Sequence, residues 1–415
     1  MRWLLCAAAA ACLLLSACAG HGPRQPLPAG VVPFEEALHE PRWRDAAGVA
    51  RGTLEDSRRK HGLPSLSVAV VIEGKPVWAA VSGWRDIERQ KPATLATSYR
   101  LGSTSKAVTA TALARLVDKG AMTLDAPIGT WRKDLPNPAW PALTPRQLAS
   151  HTAGIVDYDQ NRDLVGLFHS IRERKQFNSV KAALSVFDGN RLKYPPGAGF
   201  RYTSFDIVLL SAAMEGAAGL PFLDLLDREV SQPLGTTSLA ADHQDRNVPN
   251  RATFYWRDAK GVRRWRTVNH SYKWAGGGLI ATSSDLARIG AAWLDPNFID
   301  PATRNAFWEP QRLAGGTINP QSYAIGWRSN LNTALLGQDQ PVWNVHHGGV
   351  SQGAYSWMCV YPELKIVVAL NANARLDDFA TFMAIEQDIT RVFLKAGRAA
   401  SQVDRSVGLP ASKAG

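Results

Sequence analysis

Two stretches near opposite ends of the chain share one pattern. Residues 66–84, "LSVAVVIEGKPVWAAVSGW", and residues 354–372, "AYSWMCVYPELKIVVALNA", each hold two apolar runs parted by a short turn, at Glu73-Gly74-Lys75 and at Pro362-Glu363-Leu364-Lys365. Such runs read as antiparallel hairpins, and "DDFATFMAIEQDITRVFLKA" follows the second with helical period. Between them the signals are those of helices: Thr144-Pro145 is a cap and first-turn proline before "RQLASHTAG", and Ser204 opens "FDIVLLSAAMEGAAG", which Gly219 is placed to end. Strand pairs at both ends of a chain and helices in its middle restrict the fold. The expectation is an α/β domain built from both chain ends around an antiparallel sheet flanked by helices, with a mostly helical insertion at about residues 123–265. A cleft between sheet domain and insertion is the expected active site.

The 415 residues, 45% apolar and 20% charged, suit a globular chain with a sizeable core. The first 18, "MRWLLCAAAAACLLLSAC", hold one arginine and an apolar run too short to span a bilayer, the pattern of an export signal. Leu15-Ser16-Ala17-Cys18 resembles the bacterial lipoprotein box, which implies cleavage before Cys18 and a lipid on that cysteine. An alanine-rich signal that ends in cysteine by chance is the plainer alternative. The expected division is a signal peptide over 1–17, a lipidated Cys18 and Pro/Gly-rich tether over 18–33, a folded domain over 34–397 and a solvated tail over 398–415. Only Cys359 then remains in the folded body, so no disulfide forms within one mature chain, and the Cys/His spacings of zinc sites are absent. The formal charge of +11, which loses one unit with Arg2, suits residence near anionic lipid or cell-wall polymers. Scattered arginines on an exported chain argue against nucleic acid as a partner. A bacterial cell-envelope lipoprotein, periplasmic or associated with the outer membrane, is the expected setting, with membrane contact through the N-terminal lipid and peptidoglycan within reach.

Ser103-Thr104-Ser105-Lys106 carries the chemistry. If a helix starts at Ser103, Lys106 lies at i+3 on the same face, where its amine reaches the serine oxygen. A serine hydroxyl is a poor nucleophile until a base takes its proton, and a lysine serves if burial keeps it neutral. Spacing alone is a weak signal: Ser57-Arg58-Arg59-Lys60 matches too, amid charges that mark a solvated face. Two further segments add weight. Tyr202-Thr203-Ser204 sits at a helix start, where a phenol can relay protons, and His347-Gly348-Gly349-Val350 ends the strand-like "VWNVHHGG" with glycines that permit close backbone approach.

Ser103-x-x-Lys106, Tyr202-x-Ser204 and His347-Gly348-Gly349, in this order, resemble the three motifs of the beta-lactamase-related serine hydrolases, which include class C beta-lactamases, penicillin-binding DD-peptidases, D-aminopeptidases and esterases. "LTPRQLASHTAGIVDY", "SQPLGTTS" and "WAGGGLIATSSDLARI" are similar to connecting segments of that superfamily, and the likeness spans about residues 53–395. It implies a beta-lactamase/DD-peptidase-like fold and an acyl-serine mechanism without metal or organic cofactor, acting on a small-molecule or peptide substrate. Residue by residue, it makes Ser103 the acylated nucleophile, Lys106 its proton acceptor and Tyr202 the proton shuttle. Ser204 and His347-Gly348-Gly349 become substrate-binding, and the N–H groups of Ser103 and Val350 form an oxyanion hole. His346 leaves the register of the third motif open by one.

Two departures redirect the substrate. Ser204 replaces an asparagine amide and His347 a lysine, so efficient hydrolysis of beta-lactams is not expected, whereas an ester or amide is. A catalytically silent peptidoglycan-binding lipoprotein is the alternative. A rival serine, Ser351, sits in Gly-Val-Ser-Gln-Gly, but no histidine follows His347 and the next residues alternate like a strand, unlike an α/β-hydrolase elbow. His151 is expected to satisfy backbone groups at a helix end, Cys359 to be a buried apolar residue, and Gly276-Gly277-Gly278 to pack on the sheet. The Trp- and Arg-rich "FYWRDAKGVRRWR" is left without a function.

Overall fold

The computed structural model describes residues 22–161, 164–165 and 175–407. In chain order its main elements are β1 (Arg24–Gln25), β2 (Phe34–Leu38), α1 (Arg44–Lys60), β3 (Ser65–Ile72), β4 (Lys75–Asp86) and α2 (Ser105–Asp118). The middle brings α3 (Pro145–Ala149), α4 (Ser204–Ala218) and a hairpin of β5 (Tyr255–Asp258) and β6 (Gly261–Arg264). Then come α5 (Ser283–Ala292), β7 (Arg328–Asn332), β8 (Val342–Ser351), β9 (Ala354–Tyr361), β10 (Ile366–Ala372) and α6 (Phe379–Val407). The principal sheet runs β7-β8-β9-β10-β3-β4-β2, every pairing antiparallel, and the short Lys91–Pro92 strand adds to β4.

The seam between β10 and β3 joins the chain's ends, with Leu370 opposite Val68 and Val368 opposite Val70. Both hairpins read from the sequence form. Glu73 and Gly74 take positive φ in the β3–β4 turn, as a two-residue primed turn demands. Alternation sends Val68, Val70, Val368 and Leu370 to one face, where α1 and α6 cover them with Leu54, Phe382, Ile389 and Phe393. Ala69, Val71, Val367 and Ala369 point to the other face, under Leu286 and Ile289 of α5 and the helices beyond. Burial on both faces is why these strands read as nearly unbroken apolar runs.

The middle of the chain is less helical than expected, since the β5–β6 hairpin and the short Ala240–Ala241 strand lie within it. Helix α4 is capped by the Thr203 hydroxyl, which accepts from Phe205 N–H, and ends at Gly219 with φ 66°; Ser204 is its first residue rather than its cap. Helix α3 carries the expected Thr144 cap, closed by Gln147 as a capping box. Cys18 and the signal segment lie outside the described residues. The segment read as a tether enters a strand at β1, which pairs with β6, and α6 runs on to Val407 within the segment read as a tail.

Glu386 of α6 is buried beneath β9, where it accepts hydrogen bonds from Trp357 Nε1, Tyr361 Oη and Thr390 Oγ1. Burial pushes its carboxyl up to about 7 from 4.5. The folded state therefore holds a proton that the unfolded chain releases first, so stability is greatest below the unfolded value and is lost as pH rises through about 7. Glu386→Gln should flatten this dependence, which amounts to roughly 3 kcal/mol at one pKa unit per 1.36 kcal/mol. Thermal unfolding between pH 4.5 and 8 checks it: the wild-type midpoint falls with pH more steeply than the variant's.

Candidate active site

The short Tyr99–Arg100 strand pairs with Leu279–Ala281 and delivers the chain to the sheet at the end of β8. There Gly102–Thr104 make a 3-10 turn that leads into α2, so the helix proper begins two residues after Ser103. The turn lies hard against β8. A β-carbon on Gly349 would stand 1.8 Å from the Leu101 carbonyl oxygen, and one on Gly102, at φ +50°, would stand 2.8 Å from that of Val350. Only glycine at both positions lets the serine turn and the strand meet.

Ser103 faces a cleft of about 260 Å³ that is also lined by Tyr202, Ser204, Asp157, Tyr158, Lys273, Gly276, Gly277 and Val350. Two other clefts, of about 510 and 1110 Å³, are larger but contain neither Ser103 nor Tyr202. Lys106 is wholly buried beneath the cleft. Its Nζ stands 3.1 Å from Ser103 Oγ, 3.0 Å from Ser204 Oγ and 2.7 Å from the Gly276 carbonyl oxygen. Desolvation holds its pKa well below the usual lysine value, and the charges of Lys273 and Arg328 push it further down. The Tyr202 ring lies 4.6 Å from the same nitrogen. Burial raises its phenol, while the Arg328 guanidinium and a hydrogen bond with Ser103 pull it back.

Behind Tyr202 lies a second, buried layer. His151 stacks 4.5 Å from Tyr202 and 4.7 Å from Tyr323, and its Nδ1 is 2.9 Å from Asp206 Oδ2. Desolvation drives the imidazole well below and the carboxyl well above their ordinary values, pushing both toward their neutral forms. His347 Nε2 meets Tyr323 Oη at 2.9 Å, and its Nδ1 meets the Gly348 carbonyl at 2.8 Å. Arg328 lies over both Tyr202 and Tyr323, 5.2 and 5.3 Å from the ring centres.

Ser103, Lys106, Tyr202 and Ser204 are thus brought together, and the Val350 backbone joins them. His347 is on the same face of β8 as Gly349, whereas His346 stacks on Trp357 at 4.7 Å, which assigns the motif register to His347. The expectation that His347 lines the substrate site is corrected: it is fully buried, with both ring nitrogens engaged within the protein. Gly348 does not line the cleft either, because its missing side chain faces Phe379 of α6, where a β-carbon would stand 2.6 Å away. Gly349 serves the contact with Leu101. Ser351 ends β8, is buried, and is followed by a strand, so no nucleophile elbow forms.

The sequence reading of three features also changes. The His151 backbone does sit at a helix end, at φ 61°, but its ring belongs to the site. Gly276 packs on Ser204 rather than on the sheet, and its carbonyl holds Lys106. Tyr323 and Arg328 come from a stretch without periodicity or motif, and only the three-dimensional arrangement reveals them. Lys273, two residues ahead of the Ala-Gly-Gly-Gly run, is the cation that lines the cleft among the described residues.

The family model described as Beta-lactamase matches residues 50–388. The mitochondrial serine beta-lactamase-like protein LACTB of Homo sapiens is 25% identical over 393 residues, 76% of this chain and 72% of its own length. Esterase EstB of Burkholderia gladioli is 24% identical over 351 residues, 75% of this chain and 88% of its own. Among solved structures, EstCE1, a hydrolase with promiscuous acyltransferase activity, superposes with a TM-score of 0.68 at 21% identity, covering 84% of this chain and 99% of that one. The D-amino acid amidase of Ochrobactrum anthropi SV3 gives 0.67 at 22% identity, covering 86% and 99%. These likenesses show the fold.

Gly349→Ala is expected to force the serine turn off β8 and to slow fluorophosphonate labelling by about 100-fold, the cost of misplacing a reacting group by an ångström. Gly315→Ala, at a position where a β-carbon meets nothing within 4 Å, should change neither labelling nor melting temperature.

Proposed function

The chain belongs to the beta-lactamase family of serine hydrolases, and from that premise we propose that it cleaves an ester or amide through an acyl-serine intermediate on Ser103. The observation that carries this reading is the desolvated Lys106 amine, 3.1 Å from Ser103 Oγ. A neutral amine has two N–H donors and one lone pair. The Gly276 carbonyl can only accept, and the Ser204 hydroxyl, which itself lies 3.3 Å from that carbonyl, donates to it and accepts from Lys106. Two donors are thereby used, and the lone pair is left for the Ser103 O–H.

In the proposed reaction Lys106 takes the Ser103 proton as Oγ bonds to the substrate's carbonyl carbon. The oxygen that becomes negative is received by the N–H groups of Ser103 and Val350, beside the positive end of α2. Tyr202, between Ser103 and Arg328, passes a proton to the departing alcohol or amine as the carbonyl re-forms. The phenolate so formed then draws the proton from the water that hydrolyses the acyl-enzyme, and the Lys106 ammonium returns its proton to Ser103 Oγ as the acyl bond breaks. Ser204 and Gly276 act by orienting Lys106. With His347 buried and neutral, the cation among the described residues that lines this cleft and can meet an anionic substrate group is Lys273, which favours an ester, amide or D-amino-acid peptide over efficient turnover of a beta-lactam. Relatives named as an esterase and a D-aminopeptidase support that choice. We also propose that the protein is an exported lipoprotein of the bacterial envelope, carried by lipid on Cys18, on the strength of the leader and the Leu-Ser-Ala-Cys box.

Intact-mass spectrometry after fluorophosphonate treatment, and separately after penicillin, tests the mechanism. One adduct on Ser103, lost in Ser103→Ala and kept in Ser57→Ala and Ser351→Ala, is the expected result; no adduct with either reagent would instead indicate a binding protein. Lys106 must be neutral to act, so kcat/KM should fall as falling pH protonates the amine, with a midpoint well below that of an ordinary lysine because burial lowers its pKa. Lys106→Met should lose about 10²–10⁴-fold, the usual contribution of a positioned base.

A further inference from the structure

The third motif keeps its ring out of the cleft, and the partners of that ring show what it holds. The Gly348 carbonyl can only accept, so His347 Nδ1, 2.8 Å away, carries the proton. Nε2 is then left with its lone pair, which accepts the Tyr323 O–H at 2.9 Å. Fixed in this way from β8, the Tyr323 ring meets Tyr202 edge to face at 5.7 Å. Onto these two rings β7 lays a cation. Arg328 is the first residue of that strand, paired with His346 of β8 and bridged to Tyr323 through the backbone. Its guanidinium stands 5.2 and 5.3 Å from the Tyr202 and Tyr323 ring centres. Nη2 donates to Gln321 Oε1 at 2.6 Å, an amide that leaves the charge intact.

Other neighbours of Tyr202 offer less to an anion. His151, at 4.5 Å, is pushed toward its neutral form by burial. Lys106, with Nζ 4.6 Å from the ring centre, is charged only while it holds the Ser103 proton. The guanidinium is charged throughout. Burial raises the Tyr202 phenol, and the Arg328 charge leads the influences that lower it.

We propose that Arg328 is a positioning residue for Tyr202, stabilising the phenolate left when the phenol gives up its proton, and that His347 serves the same end by holding Tyr323 beneath the guanidinium. This rests on the acyl-serine reading above. In the step concerned, the oxyanion's electron pair re-forms the carbonyl and the bond to the leaving oxygen or nitrogen breaks with its own pair. The Tyr202 proton goes to that atom, and the negative charge passes to the phenol oxygen beside Arg328. A leaving group that is stable as an anion needs no such proton. Dependence on Arg328 should therefore follow the leaving group rather than the acyl group.

Two esters that share an acyl group test this. Nitrophenyl butyrate expels nitrophenolate unaided, whereas ethyl butyrate must expel ethanol. For each, kcat/KM reports acylation of Ser103, read on the high-pH plateau because burial, Lys273 and Arg328 all lower the Lys106 amine. Arg328→Gln should lose at least about tenfold more on the ethyl than on the nitrophenyl ester, a part of what a positioned acid contributes. General damage to the fold would leave that ratio alone. Arg328→Lys should restore most of the ratio, and Tyr323→Phe, which keeps the ring but loses the bond to His347, should shift it the same way by a smaller factor. In a Tyr202→Phe background, Arg328→Gln should shift it no further, since the arginine acts through the phenol. Equal loss on both esters, an ethyl-ester rate no higher in the wild type than in Arg328→Gln, or a full additional shift in the Tyr202→Phe background would overturn the proposal. Turnover retained in Ser103→Ala would instead overturn the acyl-serine reading itself.

Discussion

Everything at the active site depends on keeping one amine out of water. Lys106 would be an ordinary cation on a solvated helix; buried in the first turns of α2 and met by three oxygens from three segments, it is pushed toward the neutral amine that the proposed reaction requires. Burying an amine without partners costs several kcal/mol, and the oxygens of Ser103, Ser204 and Gly276 offset that cost while accepting no full charge. The second layer follows the same rule. His151, Asp206 and His347 are all pushed toward their neutral forms, so Arg328 is the formal charge set against the tyrosine pair. A neutral interior with one guanidinium at its edge lets small proton movements between Ser103, Lys106 and Tyr202 occur without large reorganisation.

The strength of that arrangement lies in its geometry rather than in any single bond. The 3-10 turn before α2 brings Ser103 and α2 brings Lys106, the start of α4 brings Ser204 with Tyr202 two residues ahead of it, and the turn before Leu279 brings Gly276. Strand β8 closes the group through Gly349 and Val350. Each contributes one or two atoms, and each is held from behind by packing that belongs to the fold as a whole.

What could be read from the chain follows from how local each signal is. The two hairpins and α6 were legible because period and turn chemistry are carried by neighbouring residues, and the Ser103–Lys106 pair because three residues of helix place them together. Ser204 was visible as a helix start, though its neighbour Thr203 took the cap and thereby freed the Ser204 hydroxyl for Lys106. His347 was found but given the wrong role, because nothing in His-Gly-Gly says that the ring turns inward to Tyr323 instead of outward to a substrate. Tyr323, Arg328, Asp206 and the Gly276 carbonyl were beyond reach, because each acquires meaning only through a partner far away in sequence. The β5–β6 hairpin was hidden for a related reason, since its arginines spoil the alternation that marks a half-buried strand.

The seam between β3 and β10 has a consequence for the order of events in the life of the molecule. Ser65 N–H donates to an oxygen of Asn373, 308 positions later, and the serine turn cannot settle until Gly349 and Val350 of β8 are present to receive it. Contacts of such long range are slow to form, and here they come last by necessity. A chain still emerging from the ribosome therefore carries no assembled cluster of Ser103, Lys106 and Tyr202. The cleft around Ser103 exists only once nearly the whole polypeptide is there to build it.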